Sequence, residues 1–270
     1  MLIVFAFALG AAIGSFLNVV ADRVPAGRSI VSPRSFCETC DRSLTTWDLL
    51  PIISYLWLRG KCRYCATRIP ARLTVMEAVN GLLIAGVYLR YGGGLDFVIL
   101  TAAVSALVVI ARIDLERELI LNSITYPSVV VLLAIAPFWS ELGVSRPFLG
   151  DETIVASLLS SLVGGAGYSL FFLSIVLVYA FVVGGVGMGV GDVKLAAVIG
   201  LLVGIPGAAV ALWVAAVSGG FVAIILLASG RKGRKEGIPF GPFMSLGAFV
   251  VVLSGADLVD QYIDAIDFFA

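Results

Sequence analysis

The chain has no histidine, and only 13% of its 270 residues are charged. Without imidazole, Ser–His and Cys–His nucleophile pairs, paired-histidine metalloprotease sites and histidine zinc ligands are excluded. A soluble domain carries about 25% charged residues, so a content near half of that excludes a water-soluble globule. Net charge is missing too. Eighteen Lys and Arg balance 18 Asp and Glu, which excludes a strongly basic nucleic-acid binder and an acidic disordered chain. Chemistry is left to carboxylates, thiols, hydroxyls and lysine. What the chain has in excess is apolar surface: 60% hydrophobic residues and a mean hydropathy of +1.06.

The apolar residues fall in runs, and about 20 in a row are enough to cross a bilayer. The first runs from Leu2 to about Ala21. The others cover Leu73–Tyr91, Leu95–Ile113, Leu119–Phe138, Ile154–Val183, Val193–Gly204, Gly207–Ser229 and Phe240–Ala256. The expected fold is therefore an all-α polytopic membrane protein of about eight spans. The fifth run is long and holds Gly164, Gly165 and Gly167, so it reads as one tilted helix or a broken one. The sixth is short and calls for a local break or a thin, wet region around it. The first run has no basic residue before it and carries Asn18 within it. It reads as a retained span rather than a cleaved signal.

Basic residues set the orientation. With the N-terminus outside and eight crossings, 16 of the 18 Lys and Arg fall on the inner side, and only Arg90 and Arg146 fall outside. The positive-inside rule is satisfied. The outer segments are acidic instead, with Glu141, Asp151, Glu152 and a tail bearing Asp257, Asp260, Asp264 and Asp267. Both termini are expected outside.

Residues 22–72 form the one long water-exposed stretch, on the cytosolic side, and hold all four cysteines: Cys37-x2-Cys40, then 21 residues, then Cys62-x2-Cys65. Two such knuckles suit a tetrahedral four-thiolate structural zinc site. Disulfides fit poorly, because the topology puts the loop in a reducing compartment. Metal would also supply folding energy that so small a segment lacks. Between the knuckles, Trp47 to Gly60 carries two tryptophans and a tyrosine. This stretch suits the headgroup layer first, and the same residues are compatible with a substrate or cofactor pocket. The sequence divides into a first helix at 1–21, the insert at 22–72 and a membrane core at 73–270.

Acids in or beside spans are costly, about 2.5–3.5 kcal/mol for an Asp at a helix centre, and are functional candidates by default. Asp114 ends the third run, and Asp192 follows the fifth. The topology puts both at the cytosolic boundary, where they are free to face one another. Before Asp192, five glycines fall within residues 184–191. Irregular backbone at membrane depth is tolerated where it is buried in protein or lines a wet cavity; tight helix packing through glycine is the other reading. A phosphate-binding loop is excluded for want of a preceding strand and a following Lys-Ser/Thr. Two close carboxyls do not ionise together, so one serves as base on a water while the protonated one polarises a carbonyl. That is peptide hydrolysis without histidine or metal.

In order along the chain stand Gly14-Ser15-Phe16-Leu17-Asn18-Val19-Val20, the paired knuckles with Leu58-Arg59-Gly60-Lys61-Cys62-Arg63-Tyr64-Cys65, Ile113-Asp114, Gly189-Val190-Gly191-Asp192-Val193-Lys194-Leu195, and Ile238-Pro239-Phe240-Gly241-Pro242-Phe243. From about residue 14 to residue 250 this series resembles the bacterial type IV prepilin peptidases, membrane aspartic proteases of the Gly-x-Gly-Asp class. The resemblance implies catalytic roles for Asp114 and Asp192. It implies cleavage of the basic leader of prepilins and pseudopilins, after a glycine, at the cytosolic face of the bacterial inner membrane. The cysteine-bearing insert implies the bifunctional form, which N-methylates the new N-terminus, usually Phe, with S-adenosyl-L-methionine. Gly60 is a candidate for close approach to that cofactor, or a plain turn glycine. Lys194 is a candidate to hold substrate or bias the dyad, or a plain inside-facing anchor. The family's usual Asp two residues after the first aspartate, and its later Pro-Asp pair, are replaced by Glu116, Leu121 and Asn122. The implied partners are prepilins, membrane lipid and, indirectly, pilus or secretion machinery, with no nucleic acid. The competing readings are a peptidase without methyl transfer, a transporter with a regulatory zinc loop, and a zinc-stabilised assembly platform.

Overall fold

The computed structural model describes residues 1–140, 153–184, 189–230 and 237–254. The loop from 141 to 152, Gly185 and Gly187 of the glycine run, the basic residues at 231–235 and the acidic tail lie outside the described residues. Among those described there are helices and two isolated β-bridges, with no strand. The chain is an all-α polytopic membrane protein. It packs as two units, Met1–Arg112 and Ile113–Ala270.

In the first unit, α1 (Leu2–Arg23) and α3 (Ala71–Tyr91) pack side by side. Asn80 of α3 donates to the Gly10 carbonyl at 2.7 Å and accepts from Ser105 at 3.3 Å, so a fully buried amide is satisfied on both sides. Between these helices the insert folds from a 3₁₀ turn (Thr46–Leu49) and the short α2 (Ile53–Trp57). Asp48 fixes the turn. Its carboxylate accepts from the Thr45 N–H and hydroxyl and pairs with Arg63 at 2.6 Å.

The boundary between the units falls within α4 (Leu95–Arg117). The second unit continues with α5 (Asn122–Ile135), α6 (Ile154–Val183), α7 (Val190–Ala228) and α8 (Gly241–Ser254). The 30-residue α6 is about 45 Å long, well over a hydrocarbon core of about 30 Å. The short sixth run does end in a break: α7 leaves helical geometry at Gly204 (φ +62°) and Ile205, just before Pro206. Broken backbone inside a membrane protein must find partners. Here Ser160 of α6 serves both exposed groups, its Oγ donating to the Ile205 carbonyl and accepting the Ile205 N–H, each at 3.0 Å. The two helices meet at Gly164 and Gly200, where a methyl on Gly200 would collide with the Gly164 carbonyl. Among the described residues, five helices are long and apolar enough to cross a bilayer, and two shorter apolar ones accompany them. With α7 split at its break, the count is about eight, as the hydropathy pattern predicts.

Candidate functional site: two carboxyls and four thiols

Asp114 does not end its helix. It lies inside α4, which runs on to Arg117, and it is 5% exposed. Its Oδ2 accepts the backbone N–H of Gly241 at 2.9 Å. Gly241 opens α8, and the Phe240 carbonyl already takes the N–H groups of Phe243 and Met244. Pro242 has no N–H to offer. The Gly241 amide is thus the donor of that first turn that meets Asp114, at the positive end of the helix dipole. A Cβ on Gly241 would stand 2.7 Å from Oδ2, so only glycine admits the carboxylate this closely.

Asp192 lies in the first turn of α7, where the Gly189 N–H caps its carboxylate. Gly191 faces Ile120, whose Cβ would be 2.9 Å from an added methyl. The two glycines of the described Gly-x-Gly-Asp segment therefore do different work: one caps the acid, the other lets the turn sit against Ile120. Ser169, halfway along α6, donates to the Val193 carbonyl at 3.0 Å and ties the same turn to its neighbour. Asp114 and Asp192 lie within Coulombic reach of one another in the second unit. Lys194 donates to Asn122 Oδ1 at 2.8 Å and sits over the Tyr126 ring at 5.4 Å. Asn122, read from the sequence as a departure, is the partner that holds this lysine.

The four cysteines of the insert converge. The Sγ atoms of Cys37, Cys40, Cys62 and Cys65 all lie within 4.8 Å of one another, and all are free thiols. The Cys37–Cys65 separation is 3.8 Å, the edge of a tetrahedron with metal–sulfur bonds of about 2.3 Å. The knuckles repeat one backbone pattern. Cys37 N–H donates to Arg42 and Asp41 N–H to Cys37, while Cys62 N–H donates to Thr67 and Ala66 N–H to Cys62. Asp41 and Ala66 hold equivalent positive-φ positions, +52° and +57°. The Thr39 and Cys40 amides bring the Cys37 thiol down to about 6. At Cys40 the Arg42 amide pulls downward, but burial and the Cys37 and Cys65 sulfurs outweigh it and push the thiol up to about 11. A dication removes that conflict by taking all four sulfurs as thiolates. The donor set and spacing fit zinc.

Gly60 closes α2 with φ +68°, and a Cβ there would be 3.0 Å from the Tyr55 ring. Its N–H donates to Tyr55 and its carbonyl accepts from Ile69, both at 2.8 Å. The turn accounts for this glycine, and its backbone groups are engaged within the insert. The tie between Asp114 and Gly241 is not legible in the sequence, although Gly241 falls within the Ile238–Phe243 motif.

Residues 8–91 match the bacterial peptidase A24 N-terminal domain, and residues 101–224 match the type IV leader peptidase family. A protein of Bacillus subtilis named prepilin leader peptidase/N-methyltransferase is 31% identical over 95% of this chain and 96% of its own length. One of the same name from Burkholderia pseudomallei is 30% identical over 94% of this chain and 86% of its own. Another from Myxococcus xanthus reaches 41% over 49% of this chain and 40% of its own. No solved structure matches the chain. With the Bacillus and Burkholderia relatives aligned over most of their own length, the chain belongs to the type IV leader peptidase family.

Proposed function

We propose that Asp114 and Asp192 form a two-aspartate peptidase site that removes the basic leader from prepilins or pseudopilins at the cytosolic face of the inner membrane. The observation that carries this reading is their pairing from α4 and α7, each acid held by a backbone amide at a helix start. One carboxylate takes a proton from water as the water oxygen bonds to the scissile carbonyl carbon. The other carboxyl gives its proton to the carbonyl oxygen. As the adduct collapses and the C–N bond breaks, the first carboxyl passes the proton taken from water to the leaving nitrogen, and an adduct hydroxyl returns a proton to the second carboxylate. The Gly241 N–H engages Oδ2 of Asp114, which leaves Oδ1 for the reaction. The basic-residue pattern supports both termini outside and the insert in the cytosol.

The insert at 22–72 is the module associated with methyl transfer, and the core at 73–270 carries the peptidase. Cys37, Cys40, Cys62 and Cys65 would hold zinc as a structural clasp. S-adenosyl-L-methionine supplies an electrophilic methyl group when bound; the new N-terminal amine, usually of Phe, receives it. The relatives' name, prepilin leader peptidase/N-methyltransferase, supports both halves.

The test uses the purified full chain in detergent and a peptide with a basic leader, a Gly-Phe junction and an apolar stretch. Asp114→Asn and Asp192→Asn are each expected to abolish cleavage while the zinc content stays at wild type. Cutting at the wild-type rate by either variant overturns the dyad.

A further inference from the structure

A polar cluster in the first unit is not used by the peptidase. Glu77 of α3 is 9% exposed, an expensive place for a carboxylate in an apolar helix. Its Oε2 accepts the Ile52 N–H at 2.8 Å, and the Ser15 hydroxyl donates to it as well. Ile52 takes a φ of +62°, which a β-branched residue adopts only under constraint. The α1 backbone comes close at this level, since a Cβ on Gly14 would be 2.8 Å from Glu77 Cα. One turn along α1, Asn18 donates Nδ2 to the Leu73 carbonyl at 3.0 Å. Asn18 is 7% exposed, and its Oδ1 is buried with no partner among the described residues.

The sum of these groups is one-sided. Ser15 and the Ile52 amide spend their donors on Glu77, and Asn18 spends its donor on Leu73. What is left is an acceptor at Asn18 and a carboxylate, with no basic side chain paired to Glu77 among the described residues. A buried unsatisfied acceptor calls for a missing donor, and a buried carboxylate without a cation calls for positive charge. A primary ammonium supplies three donors and one positive charge on a single atom.

We propose that Ser15, Asn18 and Glu77 form the site that holds a primary ammonium group during methyl transfer. The proposal rests on the methyl-transfer half of the function above. Two ammonium groups share this chemistry: the α-amine of the shortened substrate, and the amino group of the methyl donor's amino-acid moiety. Gly14-Ser15-Phe16-Leu17-Asn18 then has a chemical reason beyond helix packing. Gly14 brings the helices close, Ser15 meets the Glu77 carboxylate, and Asn18, one turn on, meets α3 at Leu73, one turn before Glu77.

The experiment measures binding by the full chain in detergent, so it stands apart from turnover. The probes are a Phe-first peptide with a free amine, its N-acetyl form, S-adenosylmethionine and its deaminated analogue. Glu77→Gln keeps the side-chain shape and an oxygen for the Ile52 N–H, and removes the charge. It is expected to weaken a free-amine ligand at least tenfold and leave the amine-lacking counterpart and leader cleavage unchanged. Weakening of the peptide alone identifies the substrate amine; weakening of the donor alone identifies the donor's. Wild-type affinity for both ligands, or equal weakening of amine and amine-lacking forms, overturns the site. Should Glu77→Gln fail to fold, the wild type decides. Labelling of Glu77 by a hydrophobic carbodiimide should be blocked by the amine ligand and not by its acetylated or deaminated form; equal labelling overturns the proposal. Absence of methyl transfer in the wild type would instead sink the functional reading, while ammonium binding is judged on its own.

Discussion

Asp114 Oδ2 accepts the backbone N–H of Gly241 at 2.9 Å, joining residues 127 apart inside the second unit. The bond uses the first-turn amide of α8, and it requires a residue without a side chain. Gly241→Ala puts a methyl 2.7 Å from that oxygen, so the carboxylate has to swing away. A displacement of about 1 Å in a catalytic group costs up to about 10²-fold in rate. The expected result is a loss of about that size in kcat for leader cleavage, with KM nearly unchanged and metal content intact. A variant that cleaves normally would show that the tie does not position the acid.

A second glycine gives a test by compensation. Gly191→Ala sets a methyl 2.9 Å from Ile120 Cβ, which forces the turn carrying Asp192 outward. Only removal of that Cβ makes room, so Ile120→Gly should restore much of the activity that Gly191→Ala removes. Contacting pairs depart from additivity by about 0.5–3 kcal/mol, and a cycle of the four proteins measures the coupling. Strictly additive losses would place the effect of Gly191 elsewhere.

The thiol cluster predicts one zinc per chain, lost on replacing any of Cys37, Cys40, Cys62 or Cys65 by serine. Removing the metal with a chelator should expose the insert to limited proteolysis while the apolar helices stay protected. Ala66 offers a gain. It holds φ +57°, a region that costs an L-residue about 1–2 kcal/mol, and Ala66→Gly should retain zinc longer against a chelator.

Asp48 gives a pH dependence with a definite sign. Burial pushes its carboxyl up, but the Thr45 hydroxyl and amide and the Arg63 guanidinium outweigh burial and hold it below the usual carboxylate range. A depressed carboxyl adds stability above its unfolded value of about 3.9 and loses it as pH falls through the folded value. Asp48→Asn should therefore weaken the insert by about 1 kcal/mol, seen in amide hydrogen exchange. The gap from wild type should hold constant between about pH 6 and 8 and narrow only in strong acid. A gap that widens on mild acidification would contradict this origin.

Much of the site is legible in the sequence because cost marks it. An acid beside an apolar run is expensive, so Asp114 and Asp192 stand out without any fold. Four thiols at two identical spacings mark a metal, and the short sixth run marks the break at Gly204. What is not legible is local in space and remote in sequence. Nothing in the run around Gly241 points to Asp114, and Asn122 reads as a mere departure until Lys194, 72 residues on, bonds to it. Apolarity also blurs helix ends. The third run stops at Ile113, but α4 continues through charged residues to Arg117, because a helix needs hydrogen bonds and not apolar side chains to go on.

Ser160 partners both backbone groups of Ile205 at the break in α7. It is fully buried, and one hydroxyl both donates to the Ile205 carbonyl and accepts the Ile205 amide. Ser160→Ala keeps the volume nearly constant and orphans both backbone groups, each worth about 1–3 kcal/mol when left unsatisfied. Two outcomes are open to the chain, lower stability or water drawn to the break, and both loosen α7 between its halves. The expected readout is a drop in thermal stability in detergent with zinc retained, since the insert belongs to the other unit. Ser160→Thr keeps the hydroxyl and should recover most of the loss. Equal damage by Thr and Ala would assign the effect to packing, and an undiminished melting temperature for Ser160→Ala would mean that the break finds its partners elsewhere.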